Sequence, residues 1–199
     1  MPRVGVAIID SGINPRHPHV TGVTEGRCFV PGEDPGLYLD YLGHGTAVAG
    51  AICEKTSDVS LYIAKVFHQQ LVTSIEVLLE AFDWCLVQPV ALINLSLGTP
   101  NEAHREAFAE RVAEATARHI RIIAAAGALP GTLSGVTAVT WDDAIPRDTY
   151  SPTYAACGWP RPIPGRPPNH NLHGISFAVA NVTGCLAREL AQPIQRFRP

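Results

Sequence analysis

Val4-Gly5-Val6-Ala7-Ile8-Ile9-Asp10-Ser11-Gly12 is the stretch on which the fold turns. Its apolar residues run without a polar interruption, which suits a strand buried on both faces of a parallel sheet. Asp10 then stands at the strand's carboxyl end, where open α/β sheets place their binding sites. Taken alone, an aspartate before Ser11-Gly12 is a turn former.

Downstream the pattern alternates. Residues 13–40 are punctuated by Asn14-Pro15, Pro18, Pro31-Gly32 and Pro35-Gly36, so they read as loop, with a short strand over 27–30. Gly43-His44-Gly45-Thr46-Ala47-Val48-Ala49-Gly50-Ala51-Ile52 predicts a helix starting near His44. Its small residues allow close packing, and two glycines beside one histidine leave room for something to approach it. A strand follows over 61–66. Thr73 and Glu76 have capping-box spacing, and Ile75, Leu78, Leu79, Phe82 and Leu86 recur with helical period to about Val87. Ala91 to Gly98 reads as a buried strand, Asn101 to about His119 as a helix, and 120–125 as a strand running into Ala126-Gly127-Ala128. A last strand is predicted over 136–140. Strands alternating with helices predict an α/β, doubly wound, mostly parallel sheet with helices on both faces, in a single domain over 1–199.

Residues 146–173 differ. Pro146, Pro152, Pro160, Pro162, Pro164, Pro167 and Pro168 leave little room for a central strand or a helix. Arg147, Arg161, Arg166, His170 and His173 tint the stretch basic. It reads as a rigid wall leading to Gly174-Ile175-Ser176-Phe177-Ala178-Val179-Ala180-Asn181-Val182-Thr183-Gly184, in preference to a polyproline ligand for a partner domain. The helix predicted from Ser176 to about Ala191 places the serine hydroxyl at a positive helix end. In isolation such a serine is an N-cap.

Composition narrows the function classes. Of 199 residues 46% are hydrophobic and 17% charged, so the chain folds around a sizeable core. A net charge of −3 without a Lys/Arg cluster argues against nucleic acid or an anionic membrane as the main partner. No apolar run is long enough to span a bilayer. The five cysteines, Cys28, Cys53, Cys85, Cys157 and Cys185, are odd in number and contain no Cys-x-x-Cys pair. They read as buried free thiols and point to a reducing compartment. Met1 is followed almost at once by a strand, with no secretory signal, so a cytoplasmic location is expected.

Asp10, His44 and Ser176 now line up as carboxylate, imidazole and hydroxyl. Ile-Ile-Asp-Ser-Gly, Gly-His-Gly-Thr-Ala-Val-Ala-Gly and Gly-Ile-Ser-Phe-Ala resemble the three signature blocks of the subtilisin-like serine peptidases. Asn94-Leu95-Ser96-Leu97-Gly98 resembles the family's substrate-binding strand, and Ala124-Ala125-Ala126-Gly127 its next strand end. The resemblance runs from Val4 to Gly184. It implies that Ser176 is the nucleophile, His44 its base and Asp10 the group that orients the imidazole. It also implies that Ser96, Leu97, Gly98, Ala126 and Gly127 bind an extended peptide by strand addition.

The chain departs from the family in informative ways. Ala128 stands where the family has the asparagine that donates to the oxyanion, and Ile175 replaces the threonine before the nucleophile. The Ser176 backbone N–H is the chief donor left. Losing one such donor costs about 2.7–4 kcal/mol, roughly 10²–10³ in rate. Asn169, His170, Asn171 and His173 are the nearby polar residues that could substitute. Ala47 replaces a histidine of the second block, and Ala180 replaces a proline in the nucleophile helix. The segment between Ala51 and Leu61 is too short for the calcium loop of many members, and the expectation is a chain without the inhibitory propeptide of many secreted members. The expectation is a compact peptidase of weak or narrow activity, using Ser/His/Asp acyl-enzyme chemistry on a peptide or protein substrate, with no cofactor and no metal. Its alternatives are a catalytically impaired peptide-binding relative and an acyl-transferring, macrocyclising protease of peptide natural-product maturation. A protein partner is expected over the shortened C-terminal region.

Overall fold

The structure is a computed structural model that describes residues 3–192. Its strands are β1 (Val4–Asp10), β2 (Val23–Cys28), β3 (Val59–Lys65), β4 (Leu92–Leu95), β5 (Arg121–Ala125), β6 (Val136–Trp141) and β7 (Ala155–Ala156). Its helices are α1 (His44–Lys55), α2 (Ile75–Leu86), α3 (Arg105–Ala117) and α4 (Ile175–Ala191). The strands form one seven-stranded parallel sheet in the order β2-β3-β1-β4-β5-β6-β7.

β1 is buried along its whole length between β3 and β4, as its apolar run requires. Side chains alternate across a strand. Val4, Val6 and Ile8 enter the core shared with α1 and α4, while Ala7 and Ile9 enter the core shared with α2 and α3. By the same alternation Asp10 falls on the α1/α4 face. Each fully buried Ile or Phe contributes about 1.5–3 kcal/mol. Ile8, Ile52, Ile63, Phe82 and Phe177 anchor the two layers in this way.

The small residues of α1 and α4 permit their close contact. A Cβ on Gly184 would lie 2.7 Å from Lys55 Cγ and 3.0 Å from the Ile52 backbone.

Several local expectations are corrected. The short strand expected over 27–30 is β2, at Val23–Cys28. It is an edge strand with a polar, partly exposed pattern, so it lacks the apolar run that marks buried strands. The cap of α2 is Ser74, which accepts from the Val77 N–H, and not Thr73. α3 is entered through a 3-10 turn at Glu102–His104, capped by Asn101. The strand expected to reach Gly98 ends at Leu95. The proline-rich stretch contains β7, placed at the sheet edge where proline neighbours are tolerated, and a 3-10 turn at Pro168–His170. α4 begins one residue before Ser176, with Gly174 as cap at φ 141°, so Ser176 is not the cap.

Candidate active site

The carboxyl ends of β1 and β4 meet the first turns of α1 and α4. Asp10 closes β1 and is fully buried. Its Oδ1 accepts from the Ser11 N–H at 2.8 Å and lies 2.7 Å from His44 Nδ1. Its Oδ2 is buried with no hydrogen-bond partner, so the imidazole is the main neutralising group for this carboxylate. Burial disfavours the charged form of His44. The hydrogen bond and charge of Asp10, with Asp40 behind, outweigh that and hold its pKa above the ordinary value.

His44 is positioned by a cap that its own helix lacks. The Gly43 N-cap is left-handed at φ 79° and offers no side chain. Asp40 takes over. Its Oδ1 accepts from the Leu42 and Gly43 N–H groups and from Ser11 Oγ, and its Oδ2 accepts from the Thr46 N–H and hydroxyl. Ser11 Oγ in turn accepts from the Gly45 N–H. A Cβ on Gly45 would meet Gly12 O at 2.2 Å, so only glycine lets α1 start this close to β1.

Ser176 lies in the first turn of α4, where its backbone N–H has no intrahelical acceptor. Its Oγ donates to the Ser96 carbonyl oxygen at 3.3 Å; no hydrogen bond joins it to His44 among the described residues. The imidazole does reach the neighbouring residue, with 5.4 Å between the His44 and Phe177 ring centroids. Asp10 and His44 are thus in direct contact, Ser176 is brought beside them through its neighbour Phe177, and its hydroxyl is turned toward β4.

A buried polar chain ties β4 to α4. Thr183 Oγ1 donates to Asn94 Oδ1 at 2.9 Å, Asn94 Nδ2 to Ser96 Oγ at 2.9 Å, and Ser96 Oγ to the Ser176 carbonyl at 3.3 Å. Beyond Leu95 the chain leaves the ladder until Thr99 pairs with Leu129. Gly98, Ala126 and Gly127 are exposed, with Ser96 and Leu97 half-buried. Ala128 is half-buried, its Cβ 3.3 Å from where a Cβ on Gly98 would stand. Ile175 packs against the α1/α4 core.

Two of the four polar substitutes in the proline-rich loop, Asn171 and His173, are engaged elsewhere. Asn171 donates to the Arg161 carbonyl and accepts from the Leu172 N–H. His173 lies between Trp159 and Trp141, with ring centroids 4.0 and 4.8 Å away, and its Nε2 is 2.8 Å from Asp143 Oδ2. Asn169 and His170 are exposed in the 3-10 turn.

Sequence reasoning missed Asp40, Asn94 and Lys65 as working parts of this region. Lys65 is fully buried beside Asp10 in the β1–β3 register. Its Nζ is 2.7 Å from Glu33 Oε2 and 4.7 Å from the Tyr41 ring centroid, and His68 also bonds Glu33. Burial works against a charged Glu33, but these donors and Cys28 hold its pKa below the ordinary value. A lysine ending an apolar strand was the available signal, since a buried ammonium needs a counter-charge.

The family's calcium loop does not fit this chain. Lys55 and Val59 are joined by Thr56-Ser57-Asp58, which bring one carboxylate where calcium takes 6–8 oxygens. Among the described residues no group of three or more His, Cys, Asp or Glu converges on a metal position. All five cysteines are free.

A parallel sheet with an Asp–His pair at its carboxyl edge and a serine in the facing helix defines a class, and the chain belongs to the subtilase family, whose profile matches residues 2–193. It is similar to the human membrane-bound transcription factor site-1 protease, at 31% identity over 162 residues, covering 72% of this chain and 15% of that protein. It is also similar to the subtilisin-like protease SBT6.1 of Arabidopsis thaliana, at 35% over 142 residues, 66% of this chain and 13% of that protein. An intracellular serine protease of Paenibacillus polymyxa is 31% identical over 136 residues, 62% of this chain and 41% of that protein. The chain thus spans well under half the length of these relatives.

Proposed function

We propose that the protein is a serine endopeptidase in which Ser176 attacks a peptide carbonyl, His44 takes its proton and Asp10 fixes the imidazole. The observation that carries this is the 2.7 Å contact of His44 Nδ1 with buried Asp10, beside the helix that bears Ser176. Asp10 holds the proton on Nδ1, leaving Nε2 as the base. A χ1 rotation of Ser176 away from the Ser96 carbonyl frees the hydroxyl for His44, and catalytic contacts often tighten only with substrate bound. His44 passes that proton to the leaving amine as the C–N bond breaks, and the acyl-enzyme ester left on Ser176 is hydrolysed by water with the neutral His44 as base again.

The substrate's acyl side lies along Ser96, Leu97, Gly98, Ala126 and Gly127. An adjoining hollow of about 330 Å³ shares Leu97 and Gly98 with this wall and is lined by both apolar residues, such as Phe67 and Ile75, and polar ones, such as Thr99 and His104, so it has room for a substrate side chain. Turnover is slow, because Ala128 offers no donor and the oxyanion relies on the Ser176 N–H. The free thiols fit work in a reducing compartment such as the cytoplasm. The described residues contain no helix long and apolar enough to cross a membrane. A protein partner covering the shortened C-terminal region belongs to the same reading; residues 193–199 lie outside those described.

A fluorophosphonate probe tests this directly. It should label the protein, with Ser176→Ala and His44→Ala both abolishing labelling. Ala128→Asn should raise peptide hydrolysis at least tenfold. An unlabelled Ser176 in protein that still binds peptides would leave a binding module. A cyclic product in the mass spectrum, in place of the acid, would indicate acyl transfer.

A further inference from the structure

A second hollow of about 450 Å³ is lined by residues flanking His44 and by none of the residues of the acyl wall. Its walls come from the loop after β1, the start of α1 and the proline-rich loop. They carry His17, His19, Arg161, Arg166, His170 and Leu172. In serine peptidase chemistry the histidine hands its proton to the leaving amine, so the departing peptide must pass the histidine side. Gly43, Thr46 and Ala47, which bracket His44, form part of the floor.

On a chain whose net charge is −3, the hollow's lining holds two guanidinium groups against one carboxylate. Among the described residues neither Arg161 nor Arg166 forms a salt bridge. The one carboxylate in the lining is Asp40, and both its oxygens already accept from the α1 cap and its neighbours. Glu54 is also near His19, but Lys55 and Arg147 hold it at 2.6 and 2.8 Å. Burial and Arg161 favour the neutral form of His19, so the charge that matches carboxylates is that of the two guanidinium groups, through paired N–H donation.

The wall is also held in place. Asn171 Nδ2 donates to the Arg161 carbonyl, and fully buried Asn181 of α4 donates to the carbonyls of Cys157 and Trp159. Pro160, Pro162, Pro164 and Pro167 restrict the backbone between these ties. Little ordering is then left to oppose ligand binding.

We propose that this hollow selects substrates with acidic residues just after the scissile bond, the carboxylates pairing with Arg161 and Arg166. This rests on the peptidase reading for its location and deepens it by naming a substrate class.

The test is a proteome-derived peptide library digested by the full chain, with cleavage sites mapped by mass spectrometry. Asp and Glu should be enriched at least fivefold in the second and third positions after the cut. Arg161→Glu with Arg166→Glu should move the preference to Lys and Arg, and the milder Arg161→Gln with Arg166→Gln should flatten it, circular dichroism melts reporting folding. A folded wild type without acidic enrichment, or a folded double-Glu variant that keeps it, overturns the inference while fluorophosphonate labelling of Ser176 leaves the peptidase reading standing. Absent labelling and cleavage would sink the peptidase reading instead, and binding then decides the hollow on its own. For that, fluorescence anisotropy compares fluorescein-labelled Ala-Asp-Glu-Asp with Ala-Lys-Arg-Lys on Ser176→Ala protein. At least fivefold tighter binding of the acidic peptide, lost in the double-Glu background, supports the site. Equal binding overturns it.

Discussion

Asn94→Ala should unsettle both the fold and the nucleophile. Asn94 is fully buried and joins Thr183 of α4 to Ser96 at the end of β4 by two bonds of 2.9 Å. Neither partner is stranded by the change. Thr183 Oγ1, whose one proton is shared between Asn94 Oδ1 and the Val179 carbonyl, gives it wholly to Val179, and Ser96 Oγ keeps the Ser176 carbonyl. The loss is thus the net worth of two hydrogen bonds, about 1 kcal/mol each, and not two full desolvation penalties. The vacated space adds about 1 kcal/mol at roughly 24 cal/mol per Å³. A total of about 2–3 kcal/mol lowers Tm by roughly 4–12 °C in a domain of this size. Urea denaturation and a thermal melt measure it. Because Ser96 touches Ser176 on both its carbonyl and its hydroxyl, fluorophosphonate labelling should slow several-fold in protein that is still folded at 25 °C. Thr183→Val keeps the volume but removes the hydroxyl from both Asn94 Oδ1 and the Val179 carbonyl and leaves Asn94 Oδ1 buried without a donor, so it should cost about 1–3 kcal/mol. An Asn94→Ala protein as stable as the parent and labelled as fast would refute the claim that this chain braces the site.

Three further outcomes follow from the same geometry. The raised pKa of His44 places the acid limb of the labelling rate above pH 6.5, since the neutral imidazole is the base. Its contribution to stability has the opposite sense: it is full below 6.5 and lost as pH rises through the raised value, so a limb centred below 6.5 contradicts both. Gly45→Ala drives a Cβ to 2.2 Å from Gly12 O, and should either prevent folding or separate His44 from Asp10, read as loss of labelling with a lowered melt. A thiol reagent should modify Cys53 well before the others: it is partly exposed, whereas Cys28, Cys85, Cys157 and Cys185 are buried and desolvation pushes their thiols up. Peptide mapping of briefly treated native protein checks this.

Much of the scaffold was readable because burial writes itself into the sequence. The β1 run and the helical period of α2 are such cases, and both elements fall where expected. β2 was misplaced because an edge strand carries no apolar signature. Ser74 displaced Thr73 as cap because either hydroxyl suits the motif and only the backbone entry angle chooses between them. Asp40 was passed over because its partners, from Ser11 to Thr46, meet only when the loop closes over α1.

What the sequence by itself determined is the type of layer structure and the three residue types at its edge, through local hydrophobic pattern and the glycines that flank His44 and Ser176. Tertiary structure alone decided which way the Ser176 hydroxyl faces and where the spare polar groups of the proline-rich loop are bound. It alone decided, too, that Arg161 and Arg166 converge with His17 and His19 in one hollow. The reason is physical: propensity acts over neighbours in the chain, whereas charge and hydrogen bonding act over distances in space that only the completed sheet brings within reach.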